Sequence, residues 1–328
     1  MQRNELHGER IMKNRRTMPV LLAGLLILLA ASAFAAPAGV GLRDGVIVDT
    51  ARSVAYVMHP QGGVQALNLR SGKVLWHSRE AERPLALAGN RLVAQARPAG
   101  GEMRIVALEV RGGALAAKAG YRMPEGVQAE VSETLQQAFH LTAMTSESGS
   151  VVLTWEVEEL SGLPMRRDQQ LGSPEQTEAA SRAGRQGTAV FDPSTGSLSK
   201  AAARQMVRPA VARSLSAPSS TEARFSSADG RHVLTSRLVD AAAALPYEWT
   251  ISDAKTGAVL GSLRAEASMS PFAVVGTQLI HLGQPALRAE GEELIERPLR
   301  LRSVDLTTGR EAWHREIRDT AWRGPVPK

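Results

Sequence analysis

The chain has 328 residues, of which 22% are charged, with a formal net charge of +6 and no cysteine. Without cysteine there is no structural disulfide, thiolate metal site, cysteine nucleophile or lipidated cysteine anchor. Five basic and two acidic residues precede Ala36, so the remainder carries only about +3, and no basic stripe interleaved with aromatics suggests nucleic-acid binding.

Arg3, Arg10, Lys13, Arg15 and Arg16 precede an apolar run from Met18 to Ala31, closed by the small residues of Ala33-Phe34-Ala35-Ala36. A basic region, a short apolar core and an A-x-A site define a secretory signal peptide. Residues 1–35 are therefore expected to be removed, leaving 36–328 as the mature domain; Met12 onward is already a complete signal. The alternative is an uncleaved anchor, because Met18 to Ala36 is 19 residues long and could span a bilayer. Asn14-Arg15-Arg16 is only a faint twin-arginine pattern, since two arginines before an apolar run are common in ordinary signals.

From Val64 to Trp76 the chain reads V-Q-A-L-N-L-R-S-G-K-V-L-W. Alternating apolar residues mark a strand with one buried face, and Gly72 supplies the positive φ of a tight turn into a second strand ending in Trp. The same unit returns at Leu301 to Trp313 (L-R-S-V-D-L-T-T-G-R-E-A-W), with weaker copies at Val106–Leu115, Ala189–Leu198 and Ile251–Leu260. Five turns result, centred on Gly72, Gly112 or Gly113, Gly196, Gly257 and Gly309, spaced from about 40 to about 80 residues apart. A further β-rich run precedes each turn. Units of three or four short strands cannot bury their own faces, so stacking around an axis is the expected solution.

The pattern in Ala66, Leu67, Leu69, Gly72, Lys73, Leu75 and Trp76, and again in Val304, Leu306, Gly309, Arg310 and Trp313, resembles the repeat of the pyrroloquinoline quinone (PQQ)-like β-propeller superfamily. Ala228-Asp229-Gly230-Arg231 resembles the turn of WD40/YVTN-type propeller repeats. The resemblance implies an all-β fold, a single propeller of four-stranded blades. Five blades are recognisable and up to seven or eight are allowed for, one of them hidden in Tyr121 to Thr145. It also gives Trp76 and Trp313 a role in packing between blades. An N-terminal strand often completes the last blade of a closed propeller, so Val46 to Val48 is expected beside Leu301 to Trp313.

Between Gly162 and Gly187 the chain turns polar and charged, an insertion into the third unit with an expected helical turn near Glu175 to Arg182. Pro209 to Thr221 is a second loop, rich in Ala, Ser and Pro, and Trp322 is placed to pin the C-terminal tail.

No phosphate-binding glycine loop, dinucleotide fingerprint, G-x-S-x-G elbow, H-E-x-x-H or calcium loop is present. His77 and His314 each follow a repeat Trp. They are candidates for a ligand pair, but repeat symmetry alone places them at equivalent and separate sites. Asp192, Asp253 and Asp305 each precede a turn glycine by four residues, where a carboxylate accepts turn amides; they are expected to serve turns, not catalysis.

Catalytic relatives in the resembled family are longer and eight-bladed, and many have adjacent cysteines at the cofactor beside a calcium held by acidic and amide side chains. None of those residues carries over, so no catalytic, cofactor-binding or metal-binding residue is assigned, and PQQ enters only through the resemblance. Non-catalytic relatives include the propeller subunit of the outer-membrane β-barrel assembly machinery, a lipoprotein scaffold whose lipidated cysteine this chain lacks. The expected protein is an exported, non-enzymatic interaction or scaffold module of the cell envelope, periplasmic or secreted and monomeric. It is expected to bind an envelope or periplasmic protein and no nucleic acid, and to meet the membrane only if its N-terminal segment stays uncleaved. The alternative is a propeller that binds PQQ or another small molecule in its central channel, with quinoprotein-type dehydrogenase activity.

Overall fold

The computed structural model describes residues 39–124, 137–159, 186–201, 222–283, 286–290 and 293–319. The expectations for the signal segment, for most of the 162–187 insertion, for the 209–221 loop and for Trp322 lie outside them.

Every described element is a strand, and the strands form five antiparallel meanders in chain order. Blade one contains β1 (Val40–Arg43), β2 (Val46–Asp49), β3 (Val54–Met58), β4 (Val64–Asn68) and β5 (Val74–Ser78). Blade two contains β6 (Arg83–Ala88), β7 (Arg91–Gln95), β8 (Glu102–Glu109) and β9 (Leu115–Arg122). Blade three contains β10 (Gln137–Thr145), β11 (Val151–Glu159), β12 (Gln186–Asp192) and β13 (Ser197–Lys200). Blade four contains β14 (Glu222–Ser226), β15 (His232–Leu238), β16 (Tyr247–Asp253) and β17 (Val259–Ala265). Blade five contains β18 (Phe272–Val275), β19 (Gln278–Gly283), β22 (Arg300–Asp305) and β23 (Arg310–Glu316), with the hairpin β20 (Ala286–Glu290) and β21 (Glu293–Arg297) inserted after β19.

The described residues therefore form a β-propeller of five blades. Within Tyr121 to Thr145 the described residues form no sixth blade: Tyr121 and Arg122 end β9 and Gln137–Thr145 is β10, so each flank already belongs to a neighbouring blade. All five turn glycines have positive φ, from 66° at Gly72 to 76° at Gly196, and in blade two the residue is Gly113.

Apolar side chains stack the blades. Between blades one and two, Tyr56, Val64, Ala66 and Trp76 pack on Leu92, Ala94, Leu108 and Val110. Blades two and three share Met103 and Ile105 with Leu141, Leu153, Trp155 and Phe191. Phe225, Leu234, Trp249 and Ile251 of blade four meet Phe272, Leu279 and Val304 of blade five. Blade five closes on blade one through Ile280, Leu301 and Ile317 against Val48, Val57, Leu67 and Leu69.

The seam between blades three and four differs. Because Leu141, Leu153 and Phe191 face blade two, strand alternation turns Thr142, Thr154 and Thr188 toward blade four. By the same rule Thr235, Thr250, Ser252 and the ion pair Arg237–Glu248 (2.6 Å) turn toward blade three. Among the described residues no apolar cluster bridges these two blades.

Val46–Val48 does not join blade five. It pairs with Val54–Val57 inside its own blade, because Phe272 to Glu316 already supplies four paired strands to the last blade. Closure is made by side chains instead of a shared strand.

Candidate functional site

Antiparallel meanders send alternate connections to opposite ends of the propeller, and here the two ends differ. With blade one counted from β2, the turns between first and second and between third and fourth strands all lie on one face, and none exceeds five residues. Their carboxylates and amides explain why. Asp192 accepts the Ser194 hydroxyl (2.6 Å) and amide (2.8 Å) and the Thr195 hydroxyl (2.9 Å), which holds its carboxyl at about 2. Asp253 accepts the amide of Thr256 at 2.7 Å, Asp305 that of Thr307 at 2.8 Å, and Asn68 those of Arg70 and Ser71 at 3.0 Å. This is a face of rigid, self-satisfied turns.

Next to these turns lies the contact between blades. In blades one, two, four and five the outer strand carries a bulge, leaving Leu75, Ala116, Leu260 and Ala312 without a pairing partner. The residue after each bulge meets the turn of the next blade. Trp76 donates its indole N–H to Val110 O (2.9 Å) and lies over Gly113; Trp313 does the same with Leu69 O (2.9 Å) and Gly72. Ala117 sits against Gly196, and Gly261 against the Leu306 backbone. Blade three has no bulge, and a Cβ at Gly257 would meet no described atom within 4 Å.

The strands on either side of every second-to-third connection and of every link between blades end at the opposite face, where the fully described connections are four to eight residues long. Arg318 and Asp319, the last described residues, belong to it. Arg318 bonds Glu82 (2.8 Å) and, through its amide, Met58 O (3.0 Å), while Asp319 pairs with Arg43 (2.8 Å). Leu238, Val239, Leu245 and Met269 are exposed here, at 38–51%.

From this face a channel of about 440 Å³ runs along the axis, lined by residues from all five blades. Leu42, Ile47, Pro84, Leu141 and Phe272 make most of its wall apolar. Arg83 is the exception. Its Nε is shielded from solvent and has no partner, and its NH2 makes one long bond to Leu141 O (3.3 Å). Burial pulls its pKa down and the charge of Asp44 pulls it back, from a starting value so high that the guanidinium stays charged at neutral pH.

A smaller cavity of about 290 Å³ lies between blades four and five. His281 on its wall is buried, stands edge-on to Trp249 with ring centroids 5.3 Å apart, and is driven down to about 4 mainly by desolvation, with Arg302 adding to the shift. It is a neutral imidazole. Glu311 at the rim is bonded by Arg302 (2.5 Å) and His314 (2.7 Å).

The structure keeps His77 and His314 apart in function. His77 lies 3.0 Å from Gly62 O and beside the His59 ring, whereas His314 serves Glu311. Among the described residues no group of three or more His, Asp or Glu side chains is placed to hold a metal ion. Nor do the described lining residues of the channel match PQQ, a tricarboxylate that quinoprotein dehydrogenases hold beside calcium. One unpaired guanidinium and the single exposed carboxylate of Asp44 match neither three carboxylates nor a divalent cation.

Sequence patterns missed Arg83 and His281. Each stands beside an apolar run, as ordinary strand residues do, and only the ring's closure turns one into the channel and the other into a seam.

Comparison with protein families and with curated proteins finds no match. Solved structures similar to this chain include BamB from Moraxella catarrhalis, at 11% identity over 83% of this chain and 63% of that one, with a TM-score of 0.27. The Cps50 (Swd1) β-propeller domain of Myceliophthora thermophila is 12% identical over 85% and 90%, with a TM-score of 0.23. A europium-containing methanol dehydrogenase is 12% identical over 83% and 68%, with a TM-score of 0.22. The chain thus spans less than two thirds of the Moraxella protein's length. Likenesses of this size carry nothing about activity, and the fold stands on the chain's own strand pairing.

Proposed function

We propose that this chain is an exported, non-enzymatic propeller that binds a protein partner of the cell envelope through its loop-bearing face. The observation that supports this is the asymmetry of the two faces: one consists only of turns of five residues or fewer, whereas all the strands that flank the longer connections end at the other. Loops placed on a rigid scaffold are where binding residues concentrate. Exposed Leu238, Val239 and Leu245 on that face supply apolar surface of the kind partners cover. Export follows from the basic-apolar-small pattern ending at Ala35, with a periplasmic or secreted mature chain.

The test is crosslinking of tagged full-length protein in intact cells, followed by purification. One envelope protein should co-purify with the parent chain and with a turn-face variant, Lys255→Glu, but not with a chain whose 239–246 loop is replaced by a short turn. Recovery of the protein alone, or equal recovery from both variants, would overturn the reading. The mass of the purified chain reports in the same experiment whether residues 1–35 have been removed.

A further inference from the structure

We propose that the central channel binds a small monocarboxylate with an apolar body, its carboxylate paired with Arg83. The inference is independent of the protein partner.

Arg83 is a permanent cation inside a mostly apolar wall, and its charge is matched only in part, by the nearby Asp44. Among the described residues no carboxylate hydrogen-bonds to it, and the facing Asp44 is exposed. The channel's other arginine, Arg43, is already paired with Asp319. A largely desolvated charge whose nearby carboxylate stays in solvent and makes no hydrogen bond to it is costly, so a site of this kind gains from an anion brought from solution.

The geometry selects the kind of anion. The terminal N–H groups of a guanidinium form a planar fork that matches the two oxygens of a carboxylate, and it is this end of Arg83, not the shielded Nε, that an anion would meet. Phosphate or sulfate would seek further donors, and the other side-chain donors of the lining are already engaged, Arg43 with Asp319 and the Thr142 hydroxyl with Thr154 O, while Leu42, Ile47, Pro84, Leu141 and Phe272 offer none. Those side chains instead suit a hydrocarbon or aromatic body. At about 440 Å³ the channel falls within the range of small-molecule sites, which pair an apolar lining with a few convergent polar groups. Met269, 38% exposed on the channel wall, marks a route in from the loop face.

The test is calorimetric titration of the purified chain with octanoate, 1-octanol and inorganic phosphate. Octanoate should bind, and 1-octanol and phosphate should each bind at least about tenfold more weakly. Arg83→Gln should cost octanoate about tenfold or more, Arg83→Lys less, and Arg79→Gln, exposed outside the channel, nothing. Met269→Glu supplies a second variant at an exposed position, where folding is not at stake; the added negative charge should also weaken octanoate binding. Absence of octanoate binding, equal binding of the alcohol, preference for phosphate, or indifference to both Arg83→Gln and Met269→Glu would each overturn the proposal.

Discussion

Trp313 donates its indole N–H to the carbonyl of Leu69, 244 residues earlier in the chain, at 2.9 Å. Its ring covers the turn glycine Gly72, and Arg315 adds a bond from its Nε to Gly72 O at 2.7 Å. Trp76 makes the same contact with the second blade. One device thus serves once between consecutive blades and once to close the ring.

Removing either indole should be expensive. Trp76 is buried, and Trp76→Ala should cost about 3–5 kcal/mol, the usual range for deleting a core aromatic. Trp313 is half-buried, so Trp313→Ala should fall at the lower end, about 3 kcal/mol. Urea denaturation of the two variants gives both numbers, and a loss below 1 kcal/mol at either site would deny the contact its structural role.

Glycine substitutions separate the backbone requirement from the contact. Gly72 and Gly257 have nearly the same φ, 66° and 72°, so an alanine at either carries the left-handed penalty of about 1–2 kcal/mol. Only at Gly72 would the new Cβ also strike an indole, at 2.7 Å from the Trp313 ring. Gly72→Ala should therefore be the more destabilising of the pair. Equal losses would mean that the indole gives way freely.

The turn carboxylates should show their worth only above their folded pKa. Hydrogen bonds from Ser194, with Thr195 assisting, lower Asp192 from 3.8 to about 2, and Asp253 and Asp305 are lowered by their Thr donors. A depressed carboxyl contributes fully above its unfolded value and loses that contribution as pH falls toward the folded one. Asp192→Asn should melt lower than the parent at pH 7, with the gap closing between about pH 4 and pH 2. The deficit should be small, because Asn68 already performs the same turn role in blade one.

His281 should produce a separate acid sensitivity at higher pH. Desolvation lowers it from 6.5 to about 4, so between these values the unfolded chain binds a proton that the folded chain refuses. Stability should fall as pH drops from about 6.5 to about 4 and level off below, as far as this group is concerned. In His281→Leu that slope should flatten while the carboxylate transition below pH 4 remains. An unchanged slope would assign the sensitivity to other groups.

The blades were legible in the sequence wherever turn chemistry left a local mark. Gly72, Gly196, Gly257 and Gly309 needed a positive φ, and Asp192, Asp253 and Asp305 announced their turns. Trp76 and Trp313 were legible because an indole after a strand end is rare. Ala117 and Gly261 occupy the same place with no such mark, because the alanine has no indole to show and at Gly261 the backbone itself makes the approach. Val46 to Val48 was assigned to the wrong blade, since an apolar triplet does not say which edge it pairs with; that is settled by whether blade five has a free edge. The channel was illegible for a related reason. It is made by short pieces of five blades, and Arg83 differs from other strand arginines only in where the ring points it.

The lack of a shared closing strand bears on how the molecule comes into being. Each blade pairs within one contiguous stretch, so most contacts form between near neighbours and should form quickly. The contacts of Trp313, Arg315, Arg318 and Asp319 with blade one are exceptions, spanning more than two thirds of the chain. A chain emerging N-terminus first completes blade one with residues 79–328 still to come. Until blade five arrives, Leu67, Leu69 and Val57 have only water on one flank. That waiting flank makes ring closure the slow, aggregation-exposed step of folding, and a chain truncated before Leu301 would keep it permanently open.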